Sequence, residues 1–244
     1  MLTTEKENII LNDVLSRITH DLRTPNAVLT SNIQMLKEDY PQSEEIELCE
    51  LALTDFSEMI AQYELANSLI KGRITPTSQS IDYNEIIHQL ITTNLFIKNN
   101  IQRLNIDISP CSTCFSDSNL VMNILKQVLT NALSYSSSHV YLNIQTNTCH
   151  TEIEVKDNGI GIPPKDLPII KKLFYRGTNI GLRKGSGLGL TIANCAIKLL
   201  EGELTISSNT KGGTTVKINI PNGKKENPSN RRRRSTKQNF AKSP

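Results

Sequence analysis

The sequence contains no tryptophan, and aromatic residues make up 5% of its 244 residues. Its core must therefore be aliphatic, which the abundant Ile and Leu can supply within a hydrophobic share of 37%. No apolar run approaches the ~18–20 residues that a membrane span needs. The N-terminus, Met1-Leu2-Thr3-Thr4-Glu5-Lys6-Glu7, lacks a basic segment followed by an apolar one, so no signal peptide is expected. Together these absences predict a soluble, cytoplasmic chain. The five cysteines, Cys49, Cys111, Cys114, Cys149 and Cys195, are scattered. Cys111 and Cys114 form a single CxxC with no second pair at zinc-ligand spacing, so reduced thiols are expected. No internal repeat is visible.

The formal net charge of +3 hides a division, since the chain holds 27 Lys/Arg and 24 Asp/Glu in all. Residues 222–244 carry eight of the basic residues and one Glu, including the run Arg231–Arg234. The body is thus mildly acidic, which argues against a global nucleic-acid role. The tail has no hydrophobic periodicity and reads as disordered. It is either a solubilising end or an electrostatic contact for nucleic acid, an anionic membrane surface or an acidic partner.

Residues 9–40 carry helical periodicity through Leu11, Leu15, Ile18, Leu22, Leu29, Ile33, Leu36 and Tyr40. Leu15, Leu22, Leu29 and Leu36 recur every seven residues. A break at 39–43 follows, and Ser43 can cap a second helix whose seam is Cys49, Ala52, Phe56, Met59, Tyr63, Ala66 and Ile70. Two such helices form a hairpin that buries little alone, and pairing with a second copy into a four-helix bundle would cover both seams. Residues 73–80 read as a linker. Beyond it, helices are expected at 83–98, 118–134 and 189–200. Period-two runs at 104–108, 140–144, 153–155, 204–206 and 216–220 read as strands. The fold class expected is α plus α+β: residues 1–72 a hairpin, and residues 81–221 one sheet with helices on one face.

Three elements carry candidate chemistry. His20 falls at heptad position f, the most exposed one, beside Asp21 and one turn before Thr24. A carboxylate can hold an exposed imidazole in one tautomer and leave the other nitrogen free to attack. Pro25 is expected to interrupt the helix there. Two glycine clusters come next, Asp157-Asn-Gly159-Ile-Gly161-Ile after a strand and Gly185-Ser-Gly187-Leu188-Gly189-Leu before a helix. Glycines at a helix N-terminus expose backbone N–H groups to phosphate, although either cluster taken alone reads equally as a loop. The second follows no strand and lacks a Gly-Lys-Ser/Thr ending, so it is neither a dinucleotide fingerprint nor a Walker loop. Lastly, Gln127, Asn131, Ser134 and Tyr135 share one helix face. An amide oxygen there suits Mg²⁺, and Tyr135 could cover an adenine ring.

These segments, in this order, resemble the boxes of the two-component sensor histidine kinases. His20-Asp-Leu-Arg-Thr-Pro25 resembles the H box, Val128–Tyr135 the N box and Asp157–Ile162 the G1 box. Phe174-Tyr175-Arg176 resembles the F box and Gly185–Leu190 the G2 box. The resemblance implies a homodimeric phosphoacceptor hairpin followed by an α/β sandwich ATP-binding domain of the gyrase/chaperone/mismatch-repair (Bergerat) type. Asp157 would bind the adenine amino group with Thr214 in support, and Asn131 would hold Mg²⁺. The segment from Pro163 to Lys184 would be a lid over ATP, with Arg176 on phosphate. His20 would take the γ-phosphoryl group, with Asp21 as base or tautomer-setting partner, and pass it to an aspartate of a response regulator. Thr24 matches the position used by members that also dephosphorylate the regulator.

Gln127 stands where the family often has Asn, Ser134 where Lys or Arg is common, Lys171 at an aromatic position and Asn26 at an apolar one. About ten residues precede the His-bearing helix, so input would come from a separate sensory partner, a core surface or a part missing from this chain. Two alternatives stay open: a weak kinase acting mainly as phosphatase or phosphotransfer protein, and a binding scaffold using the basic tail.

Overall fold

The computed structural model describes residues 2–109, 114–181, 185–210 and 212–223, with side chains of the first helix from Ser16 onward. Cys111, Lys184 and Arg231–Arg234 lie outside the described residues, as do the side chains of Leu11 and Leu15.

Helix α1 spans Leu2–Asp39 and α2 spans Glu44–Ile70. Ser43 caps α2, its Oγ accepting from the Ile46 amide at 3.4 Å, and Glu44, Glu45 and Glu47 suit the positive first turn. The two helices run antiparallel. Arg23 pairs with Glu64, Asn26 Nδ2 donates to Ser57 Oγ at 2.8 Å, and Lys37 pairs with Glu50.

One expectation about this hairpin needs correction. Pro25 does not interrupt α1, which continues as one α-helix through it. The ring removes one backbone bond, but polar contacts to α2 at residues 23 and 26 hold both sides of the turn in line. Much of the apolar seam stays uncovered within the chain, as expected of a hairpin that buries little alone. Ile18, Leu29 and Leu36 are 47%, 51% and 43% exposed, and Tyr40, Leu48, Leu51 and Met59 are exposed too. The face that α1 turns to α2 is mixed: half-buried Leu22 and Ile33 alternate with Asn26, Thr30 and Lys37.

The rest of the described chain forms an α/β layer. Its elements are β1 (Gln79–Ile81), α3 (Tyr83–Thr93), α4 (Leu95–Asn99), a 3₁₀ turn, β2 (Leu104–Ile108), β3 (Cys114–Ser116), α5 (Ser118–Tyr135), β4 (Val140–Thr146), β5 (His150–Asp157), α6 (Gly189–Leu199), β6 (Glu203–Asn209) and β7 (Gly213–Pro221). Five strands make a mixed sheet in the order β2-β4-β5-β7-β6, with β2 parallel to β4 and the other pairs antiparallel. β1 and β3 pair separately. β1 begins inside the polar stretch 73–80.

Residues 83–98 are two helices rather than one. The buried Asn94 ends α3 and caps α4, its Oδ1 accepting from the Ile97 amide at 2.9 Å. The sheet's inner face alternates as its sequence does: Val140, Leu142 and Ile144 are buried, as are Ile153 and Val155 and then Val216, Ile218 and Ile220. Against it lie α5, through Val121, Ile124, Leu125, Val128 and Leu129, and α6, through Ile192, Ala193, Ala196 and Ile197. Ala66 and Leu69 of α2 join this same core, so the end of the hairpin is packed against the layer. No described helix is long and apolar enough to cross a membrane.

Candidate functional site

A cleft of about 280 Å³ opens between α5, the turn after β5, residues 160–180 and the start of α6. That is close to the small-molecule scale. The cross-strand pairing of β5 with β7 sets its floor, because Asp157 is the partner of Thr214. Asp157 is 6% exposed. Its Oδ1 accepts from the Gly159 amide at 2.7 Å and the Thr214 amide at 3.3 Å. Burial pushes its carboxyl above the ordinary range, and these two amides oppose that. Both donors use one oxygen, so Oδ2 keeps its acceptor capacity for a ligand. The Thr214 hydroxyl lies 2.9 Å from Ser208 Oγ, which accepts from the Ile162 amide and donates to the Gly213 carbonyl. Ser208 thus ties the glycine turn after Asp157 to β6 and β7, a role that its sequence gave no sign of.

Helix α5 supplies the cleft's second wall. Gln127, Asn131, Ser134 and Tyr135 all line it, as their shared face predicts. Gln127 is buried rather than solvated. The reason is the approach of α6: a Cβ on Gly189 would lie 3.0 Å from Gln127 Oε1 and 3.3 Å from Asn131 Nδ2. Helix α6 starts without a side-chain cap at Leu188, so its first-turn N–H groups are available beside those amides. The Tyr135 carbonyl accepts from the Ile160 amide at 3.2 Å, fixing the first glycine turn to the end of α5.

The third wall is the segment between the two glycine clusters. Tyr175, Arg176, Gly177, Asn179 and Ile180 line the cleft from it. Asp166, which the sequence did not single out, accepts from the Tyr175 hydroxyl at 2.7 Å and the Thr178 amide at 2.7 Å. Phe174 adopts a left-handed φ of 60° and puts its ring 6.0 Å from that of Tyr63 on α2. Lys171 sends its ammonium toward the Leu204 carbonyl at 3.4 Å, away from any aromatic role. Gly185, Ser186, Gly187 and Gly189 close the cleft. Gln62 of α2 lines it too.

The structure therefore brings Asp157, Gly161, Thr214, Gln127, Asn131, Tyr135, Arg176 and the glycine loop together around one cleft. Gly159 stands at its floor, on Asp157, and Leu188 is buried beneath the loop. It leaves His20, Asp21 and Thr24 outside. His20 and Asp21 are 83% and 77% exposed on α1, with Nδ1 and Oδ1 3.1 Å apart. Among the described residues no group of three His, Cys, Asp or Glu could hold a metal ion. Cys114 is a buried free thiol whose Sγ donates to Asn222 Oδ1 at 2.9 Å.

Residues 116–224 match the family model of the histidine kinase-, DNA gyrase B-, and HSP90-like ATPases. The sensor protein kinase WalK of Staphylococcus epidermidis is 28% identical over 225 residues, covering 86% of this chain and 36% of its own length. The signal transduction histidine-protein kinase/phosphatase MprB of Mycobacterium avium is 27% identical over 210 residues, covering 80% and 39%. Among solved structures, full-length ShkA in complex with AMPPNP gives a TM-score of 0.71 at 18% identity, over 88% of this chain and 47% of that one. The Acinetobacter baumannii histidine kinase AdeS gives 0.59 at 19%, over 84% and 98%. At these identities the structural likeness is one of fold. The chain spans little more than a third of the length of these two curated relatives.

Proposed function

From a chain whose core is that of the two-component sensor histidine kinases, we infer that it binds ATP in the cleft and phosphorylates His20. The observation that carries this reading is the cleft itself. Four separate segments bring to it a buried carboxylate acceptor, two amides beside an uncapped helix start, a glycine loop and an arginine. That is the donor and acceptor set an adenosine triphosphate needs, and a relative of the same fold was solved with the ATP analogue AMPPNP.

In this reading residues 1–72 are the dimerisation and phosphoacceptor hairpin, 73–80 a linker and 81–221 the ATP-binding domain. Asp157 Oδ2 accepts from the adenine amino group, and Thr214 supports it. Tyr135 covers the base. Gly185, Gly187 and Gly189 offer backbone N–H groups to the phosphates, Leu188 spends its own on Ser186 Oγ at 3.3 Å and buries its side chain beneath the loop, and Arg176 adds positive charge. The donor set fits Mg²⁺ only in part: Asn131 and Gln127 offer amide oxygens, and the remaining ligands must be phosphate and water. When bound, the ion neutralises charge between the phosphates.

The His20–Asp21 contact orients the acceptor. With the Nδ1 proton directed at Asp21, Nε2 presents its lone pair to solvent. Nε2 attacks the γ-phosphorus, the bond to the β–γ bridging oxygen breaks, and ADP leaves with that electron pair. Because His20 lies outside the cleft, transfer requires the cleft and α1 to come together, within one chain or across a dimer. The phosphoryl group then passes to an aspartate of a response regulator.

The test is incubation with γ-labelled ATP and Mg²⁺, beside His20→Gln and Asn131→Ala. Acid-labile, alkali-stable label that is absent from both variants is expected. Nucleotide binding without label in the wild type would overturn the kinase reading. It would favour the second one, a phosphatase or phosphotransfer protein, which the exposed Thr24 one turn from His20 supports.

A further inference from the structure

The segment over the cleft contains a carboxylate for which the nucleotide reading has no use. Asp166 is 1% exposed. Its Oδ1 accepts from the Tyr175 hydroxyl at 2.7 Å, and its Oδ2 accepts from the Thr178 amide at 2.7 Å and the Thr178 hydroxyl at 3.0 Å. These bonds close residues 166–178 into a ring. The ring is tied down beyond its end, where Asn179 Nδ2 donates to the Gly161 carbonyl at 2.9 Å. Arg176 sits between the two residues that Asp166 holds, on the wall of the cleft. A buried carboxylate that takes all three bonds from one short segment serves that segment's shape.

We propose that Asp166 is a positioning residue of the nucleotide site: by pinning Tyr175 and Thr178 it fixes Arg176 on the cleft wall as the cation for the triphosphate. The inference rests on the nucleotide reading and deepens it. Both carboxylate oxygens act as acceptors here, and the near-isosteric amide of Asp166→Asn keeps only one of them. Its oxygen can still accept from Thr178, but its NH2 must reverse the bond to Tyr175 and donate to the phenol oxygen, and both contacts lose the carboxylate's charge. The ring is weakened while the bulk of the side chain is kept.

A staple that only stabilises the fold would weaken every ligand alike. A positioning residue acts through Arg176 and so on the phosphates alone. Calorimetric titration of the full chain with ATP·Mg²⁺ and with adenosine separates the two. Asp166→Asn should weaken ATP about tenfold or more, the scale of one charge-assisted contact, and leave adenosine within about twofold. Tyr175→Phe, which removes one anchor, should move ATP in the same direction by less. In an Arg176→Ala background Asp166→Asn should have almost no further effect on ATP. Equal losses for adenosine and ATP, or full additivity with Arg176→Ala, overturn the proposal. A wild-type chain that binds neither ligand overturns the nucleotide reading itself, and the inference with it.

Discussion

Ser186, between two glycines of the loop, donates its hydroxyl to Gln62 Oε1 of α2 at 3.2 Å, joining residues 124 positions apart. Nearby, Phe174 packs on Tyr63 and Lys126 pairs with Glu58. The loop and lid of the candidate nucleotide site are thus docked on the hairpin helix that does not bear His20. In this arrangement His20 faces solvent, and under the proposed transfer to His20 these contacts are expected to loosen. Tyr63 does not line the cleft, and its ring pair is worth about 0.5–1.5 kcal/mol. Tyr63→Ala should therefore raise the initial rate of His20 labelling between about twofold and tenfold. Slower labelling in a single-turnover assay would make the docked arrangement the productive one.

Asp157 links binding to pH. Burial raises its pKa above the ordinary 3.8. Protonation removes the acceptor proposed for the adenine amino group, so adenosine affinity should fall as pH drops through that raised pKa. Stability should move the other way. The folded state holds this proton more tightly than the unfolded one, so this group's contribution declines as pH rises from 3.8 to the raised value. Asp166 has the opposite sign. The Thr178 amide and then the Tyr175 and Thr178 hydroxyls lower its pKa against burial, so its stabilising effect is present above 3.8 and is lost as pH falls through the lowered value. Titrations with adenosine and thermal melts across the acid range check both. In Asp157→Asn the binding should be weaker by roughly ten- to a hundredfold near neutral pH and should lose its acid limb.

Much of this site is legible because local patterns coincide with long-range pairing. Val140, Leu142 and Ile144 alternate because β4 is covered on one face, and the glycine clusters flank β5 and α6 where the backbone meets the cleft. What was hidden has physical causes. β1 and β3 are three residues each, too short for a period to show. Asn94 divides a helix by a capping bond that its apolar neighbours mask. Asp166 looked like one charged residue in a polar loop, because only the fold brings Thr178 back onto it. The hairpin is a different case. Arg23–Glu64 and Lys37–Glu50 bridge α1 and α2, and Leu29 and Leu36 stay exposed, in keeping with a hairpin that buries little alone.

That outward face makes a prediction about assembly. Ile18, Leu29 and Leu36 line one side of α1, and Leu48, Leu51 and Met59 are exposed on α2. Exposed apolar side chains in this number suit an interface, and a second copy of the hairpin is the partner proposed above. Burying one leucine gains roughly 1.5–3 kcal/mol, and a two-fold axis counts it twice. Leu29→Asp should therefore weaken the dimer by two orders of magnitude or more. Sedimentation should show a monomer with unchanged helix content by circular dichroism. A variant that stays dimeric at the same concentration would place the dimer contact elsewhere.

Two glycines, Gly181 in the lid segment and Gly187 in the loop after it, separate backbone strain from close approach. Gly187 has φ +71° and Gly181 φ +57°, so alanine is conformationally disfavoured at both by a similar amount, about 1 kcal/mol. They differ in their surroundings. A Cβ on Gly181 would meet nothing within 4 Å, whereas one on Gly187 would lie 2.7–2.9 Å from the backbone of Phe174. Phe174 is itself left-handed, packed against Tyr63 and two residues from Arg176, so it has little room to give way. Gly187→Ala should push Phe174 and the glycine loop apart and cut ATP affinity by more than about tenfold, since displaced backbone donors and a displaced arginine both act on phosphate. Gly181→Ala should lower the melting temperature slightly and change ATP affinity by less than about threefold. If the two variants bind ATP equally, the contact between Gly187 and Phe174 does not shape the site, and strain alone accounts for the loss.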